Sequence, residues 1–348
     1  MLPITIFTPS YADAANTNAQ NLTVKEIVTR LPPDEFHISM FSGPEPDLRI
    51  AARANTRLIP WKEHGNTARF LWRLLVSRPD IYFYPRHGPL DSTFFRLRRN
   101  LPWRTRIVTH IVMMMNDVTG TGLTASSIRE AAAVYGNSTY VAQTVREMFG
   151  VEAGVIHNGI DRRFFFPPKD AIKPQQAVVL YAGSFQSRKR VDLIVREAAR
   201  FPEVKFRMAG RGETENECRA LAQHLGCRNV EFLGHILPSR LGEEMREAQI
   251  FMFPSILEGH PQVLGQAAAC GLPSIAMDVY HPDYVVNGGN GFLVKSDEEL
   301  SQKLELLLRD AALRSSMSKA AVEHARLFDW DAIALQWQKA FRAVMARH

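Results

Sequence analysis

Two stretches of alternating short apolar runs and amphipathic segments lie on either side of RRFFFPPKDAIKPQQ, residues 162–176, and that alternation leaves the chain few architectures. Short apolar runs that take turns with helical patterns bury a parallel sheet between helices. The prolines and polar residues of the separating stretch mark a boundary. A chain of 348 residues supplies each side with enough length for its own core, and 46% apolar with 22% charged residues is an ordinary globular composition. The pattern therefore predicts an α/β domain over 1–165 and a second over 170–329. No period points to a solenoid and no low-complexity segment stands out.

The most informative segment of the second domain is FPSILEGHPQVLGQAAACGLP, from Phe253 to Pro273. Pro261 suits a first helical position, Gly271 the residue past a helix end, and Pro273 blocks continuation, so a short helix is expected over about 261–270. The amides of Gln262, Val263 and Leu264 would lack intrahelical acceptors, and with the positive end of the helix dipole they would form a diphosphate site. Glu258 falls just outside that start. Gln266, four residues after Gln262, shares its face and offers an amide to neighbouring hydroxyls. A buried amphipathic helix beside a solvated loop acid explains the same residues without a ligand.

Three further segments carry chemistry-bearing residues. VVLYAGSFQSRKRVDLIV, from Val178 to Val195, reads as a strand, a turn at Gly183 and Ser184, a basic loop with Arg188, Lys189 and Arg190, and a helix start. VEFLGHILPSRLGEEMREAQIFMFPS places Gly234 and His235 in the turn after another strand. RTRIVTHIVMMMND, from Arg104 to Asp117, reads as a buried strand with His110 near its end and the methionines as packing. Gly210 to Gly212 lacks the remaining spacing of a dinucleotide fingerprint and reads as a tight turn. In the glycine-free loop SYADAANTNAQN, Asn16, Thr17 and Asn18 are polar candidates that helix capping explains equally.

Taken together, Pro254-Ser255, Glu258-Gly259, Pro261, Ala267, Gly271 and Pro273 resemble the donor-site signature of glycosyltransferase family 4, the retaining enzymes of GT-B architecture. That resemblance implies two Rossmann-like, doubly wound parallel-sheet domains facing a cleft, with the acceptor on the first and a nucleotide sugar on the second. It also implies that the amphipathic segment 330–348 packs back on the first domain. By resemblance, His110, Glu258 and Lys189 are the catalytic candidates. Gly183, Ser184, Arg188, Lys189, Gly234, His235, Glu258, Gln262, Val263, Leu264 and Gln266 are the donor-binding candidates, and Asn18 is the acceptor candidate. Two positions depart from the family pattern: Gln266 stands where a second Glu closes the two-glutamate motif, and Ser184 stands where an Arg follows the turn glycine. Arg188 or Arg190 would have to replace that guanidinium. His87, in FYPRHGPLD, is expected as an exposed turn residue.

Retention in this family is held to follow a same-face path in which a donor phosphate oxygen takes the acceptor proton, so neither a carboxylate pair nor a cofactor or metal is expected. Three cysteines, Cys218, Cys227 and Cys270, lack metal-ligand spacing and suggest a reducing compartment. With no signal-like leader and no apolar run of spanning length, a cytoplasmic protein is expected. A formal charge of +6 suggests an acidic partner. Six arginines, Arg86, Arg96, Arg98, Arg99, Arg104 and Arg106, crowd residues 86–106 among Phe94, Phe95, Leu97, Leu101 and Trp103. That stretch fits peripheral contact with an anionic membrane or an ordinary surface helix with its apolar side in the core. No nucleic-acid partner is expected. The expected partners are a UDP-, GDP- or dTDP-linked sugar and a saccharide or lipid-linked acceptor. Two rivals remain: a catalytically degenerate member of the same fold that binds nucleotide sugar or a partner protein, and a nucleotide-sugar epimerase.

Overall fold

The structure, a computed structural model, describes residues 2–13, 19–84, 89–112, 122–169 and 176–346. The chain forms two compact units, Met1–Asn158 with Trp330–His348, and Gly159–Asp329. The first contains a parallel sheet of β1 (Ile4–Tyr11), β2 (Phe36–Ser42), β3 (Thr56–Pro60), β4 (Ile81–Tyr84), β5 (Arg106–Ile111), β6 (Ala133–Gly136) and β7 (Gly154–Val155), in the order β3-β2-β1-β4-β5-β6-β7. The second contains β8 (Val178–Ala182), β9 (Lys205–Ala209), β10 (Val230–Gly234), β11 (Ile250–Phe253), β12 (Ser274–Met277) and β13 (Gly291–Val294), ordered β10-β9-β8-β11-β12-β13 and again parallel. Both sheets are doubly wound, and each reverses its strand order once, between β1 and β4 and between β8 and β11.

Crossing from the first unit to the second occurs at Asn158, ahead of the prolines that suggested a boundary near 165. The reason is burial. Ile160 and Phe165 are each only 2% exposed, the Ile160 amide donates to the Phe328 carbonyl at 2.7 Å, and Arg246 donates to the Phe164 carbonyl at 2.9 Å. These apolar residues are part of the second unit's core, so the linker character begins after them.

Period-two alternation divides the first unit's core between the two sheet faces. Ile6, Ile38, Met40 and Val108 point to the face covered by the last helix, Trp330–Ala346, which contributes Ile333, Trp337 and Phe341. Phe7, Phe41, Ile59 and Tyr82 point to the other, packed by Phe70 and Leu74 from the helix Asn66–Ser77. There the helix Pro89–Leu97 sends Phe94 and Phe95 inward, Phe94 stacking on Tyr82 with ring centroids 3.9 Å apart. Those two aromatics are core residues. The basic stretch around them therefore presents arginines without its phenylalanines, and Arg86, like His87, lies outside the described residues.

His110 shares the face of Val108 and is fully buried. Its Nε2 bonds the Ile156 carbonyl at 2.9 Å, its ring meets Trp337 edge-on at 5.0 Å, and its Nδ1 has no partner among the described residues. The structure thus corrects the expected orientation toward a sugar: the last helix closes over the ring, and His110 is a core histidine. Burial pushes its pKa down to about 4, the bond to Ile156 acting against burial and the neighbouring His157 adding to it. The folded state therefore binds fewer protons than the unfolded state between about pH 6.5 and 4, and stability falls as pH falls through that window. The stability difference between wild type and His110→Asn, measured by urea unfolding, should narrow by about 3 kcal/mol from pH 7 to pH 4. An unchanging difference would show that the ring is accessible to protons in the fold.

Candidate functional site

In a doubly wound sheet the loops leaving the strands on either side of the reversal diverge and open a crevice at the strand carboxyl ends. In the second unit those strands are β8 and β11. The loop after β8 tightens into a turn of 3-10 helix, Ser187–Lys189, and that after β11 runs through Ser255 and Glu258 to the helix Gln262–Ala269. Backbone ties them: the Ile256 amide donates to the Arg188 carbonyl at 3.0 Å.

Glu258 is the centre of the site. Its Oε1 accepts from Lys189 Nζ in a short ion pair, from Arg188 Nη1 at 2.9 Å and from Ser255 Oγ at 2.5 Å. The Lys189 and Glu258 side chains are only 10% and 11% exposed, so the pair is substantially desolvated. Lys189 Nζ also lies 4.9 Å from the Phe253 ring centroid. Burial lowers the pKa of Lys189 below its ordinary value, and Glu258 acts against that shift. Arg188 reaches a second acceptor, the Leu257 carbonyl, at 2.6 Å. Arg188 is therefore a member of the cluster and not a solvated turn residue. Arg190, with a left-handed backbone at φ 52°, turns away to pair with Asp297 at 2.5 Å. Two cations against one carboxylate leave the cluster with one positive charge in excess.

The adjoining helix starts one residue later than expected, with Pro261 as its cap at ψ 99°. One consequence is a correction. The Leu264 amide donates to the Pro261 carbonyl at 3.0 Å and is not available to a ligand. Among the described residues no backbone acceptor meets the amides of Gln262 and Val263. Gln262 Nε2 is buried without a hydrogen-bond partner among the described residues, a donor open to a ligand. Gln266 lies half-buried on the same helix, one turn on.

Around this centre, Gly183 follows β8 so closely against Tyr181 that a Cβ there would come within 2.7 Å of the Tyr181 hydroxyl. That hydroxyl donates to the Ser184 carbonyl at 2.9 Å, while Ser184 itself is exposed. The turn at 210–212 packs on the same loop: a Cβ on Gly210 would stand 1.8 Å from the Gly183 carbonyl oxygen, which explains the glycine without a cofactor. Gly234 takes φ 69° beside Arg211, and His235 after it is exposed. Asn18 lies outside the described residues.

Two participants escaped the sequence reading. Ser255 is fully buried and spends its hydroxyl on Glu258. Tyr280 is 1% exposed, its hydroxyl has no hydrogen-bond partner among the described residues, and burial followed by the Glu258 charge raises its pKa well above the ordinary tyrosine value. Its signal in the sequence is position: a tyrosine just past the carboxyl end of β12, the level at which Lys189 and Glu258 follow β8 and β11.

With this geometry in view, likeness to known proteins is informative. Residues 162–324 match the family model of glycosyl transferases group 1. A D-inositol 3-phosphate glycosyltransferase of Kribbella flavida is 28% identical over 242 residues, 62% of this chain and 57% of that one. Another of the same name, from Mycobacteroides abscessus, is 34% identical over 197 residues, 52% and 44% of the two chains. The chain thus spans about half the length of the curated relatives it matches. Among solved structures, a sucrose-phosphate synthase from Thermosynechococcus elongatus superposes with TM-score 0.81 at 20% identity, over 99% of this chain and 100% of that one. Anabaena HepE in complex with UDP does so with TM-score 0.78 at 16% identity, over 98% and 100%. The segment 162–324, which carries the Lys189–Glu258 cluster, is similar to the glycosyl transferases group 1 domain, and the chain has the GT-B fold.

Proposed function

We propose that this chain is a retaining glycosyltransferase that moves a hexose from a nucleotide-sugar donor to a hydroxyl acceptor, with the donor bound at the Lys189–Glu258 site. The observation that carries this reading is the composition of that site: a desolvated ion pair with one surplus positive charge beside a helix start that has two unclaimed amides and an unpartnered Gln262 Nε2. A diphosphate matches those donors in charge and number. Lys189, Arg188 and the amides of Gln262 and Val263 would stabilise negative charge that grows on the leaving diphosphate. Glu258 has its Oε1 filled by three donors, so Oε2 remains to hold the hydroxyls of the transferred sugar. Gln266 would meet the ribose, and Tyr280 would offer its hydroxyl to the sugar. In the same-face path the acceptor oxygen bonds the anomeric carbon as the bond to the diphosphate oxygen breaks, and the acceptor proton passes to a donor phosphate oxygen. The reading assigns none of this work to a metal, because lysine, arginine and helix amides supply the charge.

The UDP in the HepE structure supports uridine as the first donor nucleotide to test. A saccharide or lipid-linked acceptor, in the making of cell-surface polysaccharide or glycolipid, agrees with a formal +6 and the arginine-rich stretch 86–106. Among the described residues no helix is long and apolar enough to cross a membrane. With Phe94 and Phe95 in the core, membrane contact through that stretch would be electrostatic. Binding to anionic vesicles should appear at low salt and largely vanish near about 0.15 M, as read by co-sedimentation. No binding at any salt would remove the membrane from the proposal.

Lys189→Ala should weaken UDP binding by roughly 10- to 100-fold, the loss of one charge-assisted contact, in calorimetric titration. Undiminished affinity would move the diphosphate away from Lys189. Glu258→Gln is expected to keep UDP affinity within about threefold while abolishing any advantage of UDP-hexose over UDP. Gln266→Glu, which adds a second acceptor for ribose hydroxyls, should tighten UDP by up to about tenfold. Donor binding without transfer to any acceptor and without slow donor hydrolysis would instead mark the chain as a binding protein of this fold.

A further inference from the structure

The first unit contains a second basic site that the transferase reading leaves unused. On the sheet face packed by the helix Asn66–Ser77, the apolar side chains of β1, β2 and β3 begin only at Phe7, Phe41 and Ile59. Two residues earlier on the same face stand Thr5, Ser39 and Arg57, and four before Phe41 stands His37. Strand register sets Thr5 beside His37 and Ser39 beside Arg57. With Arg73 and Ser77 from the helix, these six polar residues line a cavity of about 330 Å³. Ser39 is 93% buried, being 7% exposed, and receives Arg73 Nε at 3.4 Å. None of the described residues that line the cavity is acidic. The nearby carboxylate of Asp80 already takes the Thr5 amide at 2.8 Å and the Thr5 hydroxyl at 2.7 Å through one oxygen.

Arg57 and Arg73 thus face one cavity as like charges, and neither has an ion-pair partner among the described residues. Burial lowers the pKa of Arg73, and the Arg57 charge lowers it further. A guanidinium held partly out of water beside another is unfavourable unless an anion joins them, and planar forks suit the oxygens of a phosphoryl group. The Thr5 and Ser77 hydroxyls are spent on Asp80 and on the Arg73 carbonyl, whereas Ser39, which accepts from Arg73, keeps its own proton to donate, and the volume lies at the lower end of the range for small-molecule sites. We propose that this cavity binds the phosphoryl group of a small phosphomonoester, with Arg57 and Arg73 as its charge partners. The site lies at the amino ends of β1, β2 and β3, opposite the carboxyl ends at which such sheets hold their reactants. An occupant is therefore an effector and not a substrate of the reaction proposed above.

The test is thermal unfolding and calorimetric titration of the full chain with inorganic phosphate and with glycerol 3-phosphate, at constant ionic strength. Both probes should stabilise wild type, and R57Q/R73Q should weaken them by roughly tenfold or more while keeping its UDP response. Because the second unit also favours phosphate, Lys189→Ala is the necessary companion and should retain both responses. Tighter binding of glycerol 3-phosphate than of phosphate would show that the cavity reads the carbon body as well. Equal binding would assign recognition to the phosphoryl group alone. Absence of any response in wild type, a response in Lys189→Ala that survives the further change R57Q/R73Q, or one abolished by Lys189→Ala alone would overturn the assignment.

Discussion

The whole arrangement of charges beyond β8 and β11 depends on one oxygen atom. Glu258 Oε1 gathers a lysine, an arginine and a serine hydroxyl within a site from which water is largely excluded. A lysine and a carboxylate taken this far out of water are stable only as a hydrogen-bonded pair, since removal of either partner strands the other. The pair therefore locks the loop after β8 to the loop after β11, an arrangement made possible because those strands are parallel neighbours although their loops lie 69 residues apart in sequence. Topology brings the charges together, and desolvation makes their pairing obligatory. The second oxygen of the same carboxylate is then left to recognition.

What the sequence made legible follows from this local chemistry. Proline and glycine bounded the short helix after β11, and the structure differs by one residue at each end because Pro261, with its carbonyl turned to receive Leu264, serves as cap. Lys189 was singled out by its resemblance to the family's lysine after an apolar strand and a glycine turn, and the structure brings it to Glu258. The different fates of the arginines on either side were not legible. In a single turn of 3-10 helix followed by a left-handed residue, consecutive side chains diverge, so Arg188 reaches Glu258 while Arg190 reaches Asp297. Ser255 and Tyr280 were missed because a buried hydroxyl leaves no mark in composition. For Tyr280 only its place beyond a strand's carboxyl end carries the information, and for Ser255 the signature it shares with Glu258 does not announce the bond between them.

His110 shows the opposite case, in which local pattern and tertiary context disagree. Its strand and its place near the strand end were readable, and period-two alternation puts it on the face of Val108. What covers that face is the final helix, whose Trp337 comes from the far end of the chain. No local pattern announces that an indole from there will close over the ring. The same alternation also places Phe94 and Phe95 in the core, so an aromatic, basic string of letters becomes an arginine surface over an aromatic interior.

The first unit's other face extends this reasoning to charge. A strand face buried by a helix is expected to stay apolar along its length, because every polar group placed there must find a partner. β1, β2 and β3 keep that rule at Phe7, Phe41 and Ile59 and abandon it at Thr5, His37, Ser39 and Arg57, where Arg73 arrives from the helix. Were the change only a fraying of the core toward solvent, acids and bases would be interspersed as they are elsewhere on the surface. Instead the cavity gathers two guanidiniums and the Ser39 hydroxyl with no acid among its described lining residues, the same surplus of positive charge found around Glu258. In both places a guanidinium stands without a carboxylate of its own among the described residues, Arg188 sharing Glu258 with Lys189 and Arg57 facing Arg73, and in both an anion would complete the charge balance.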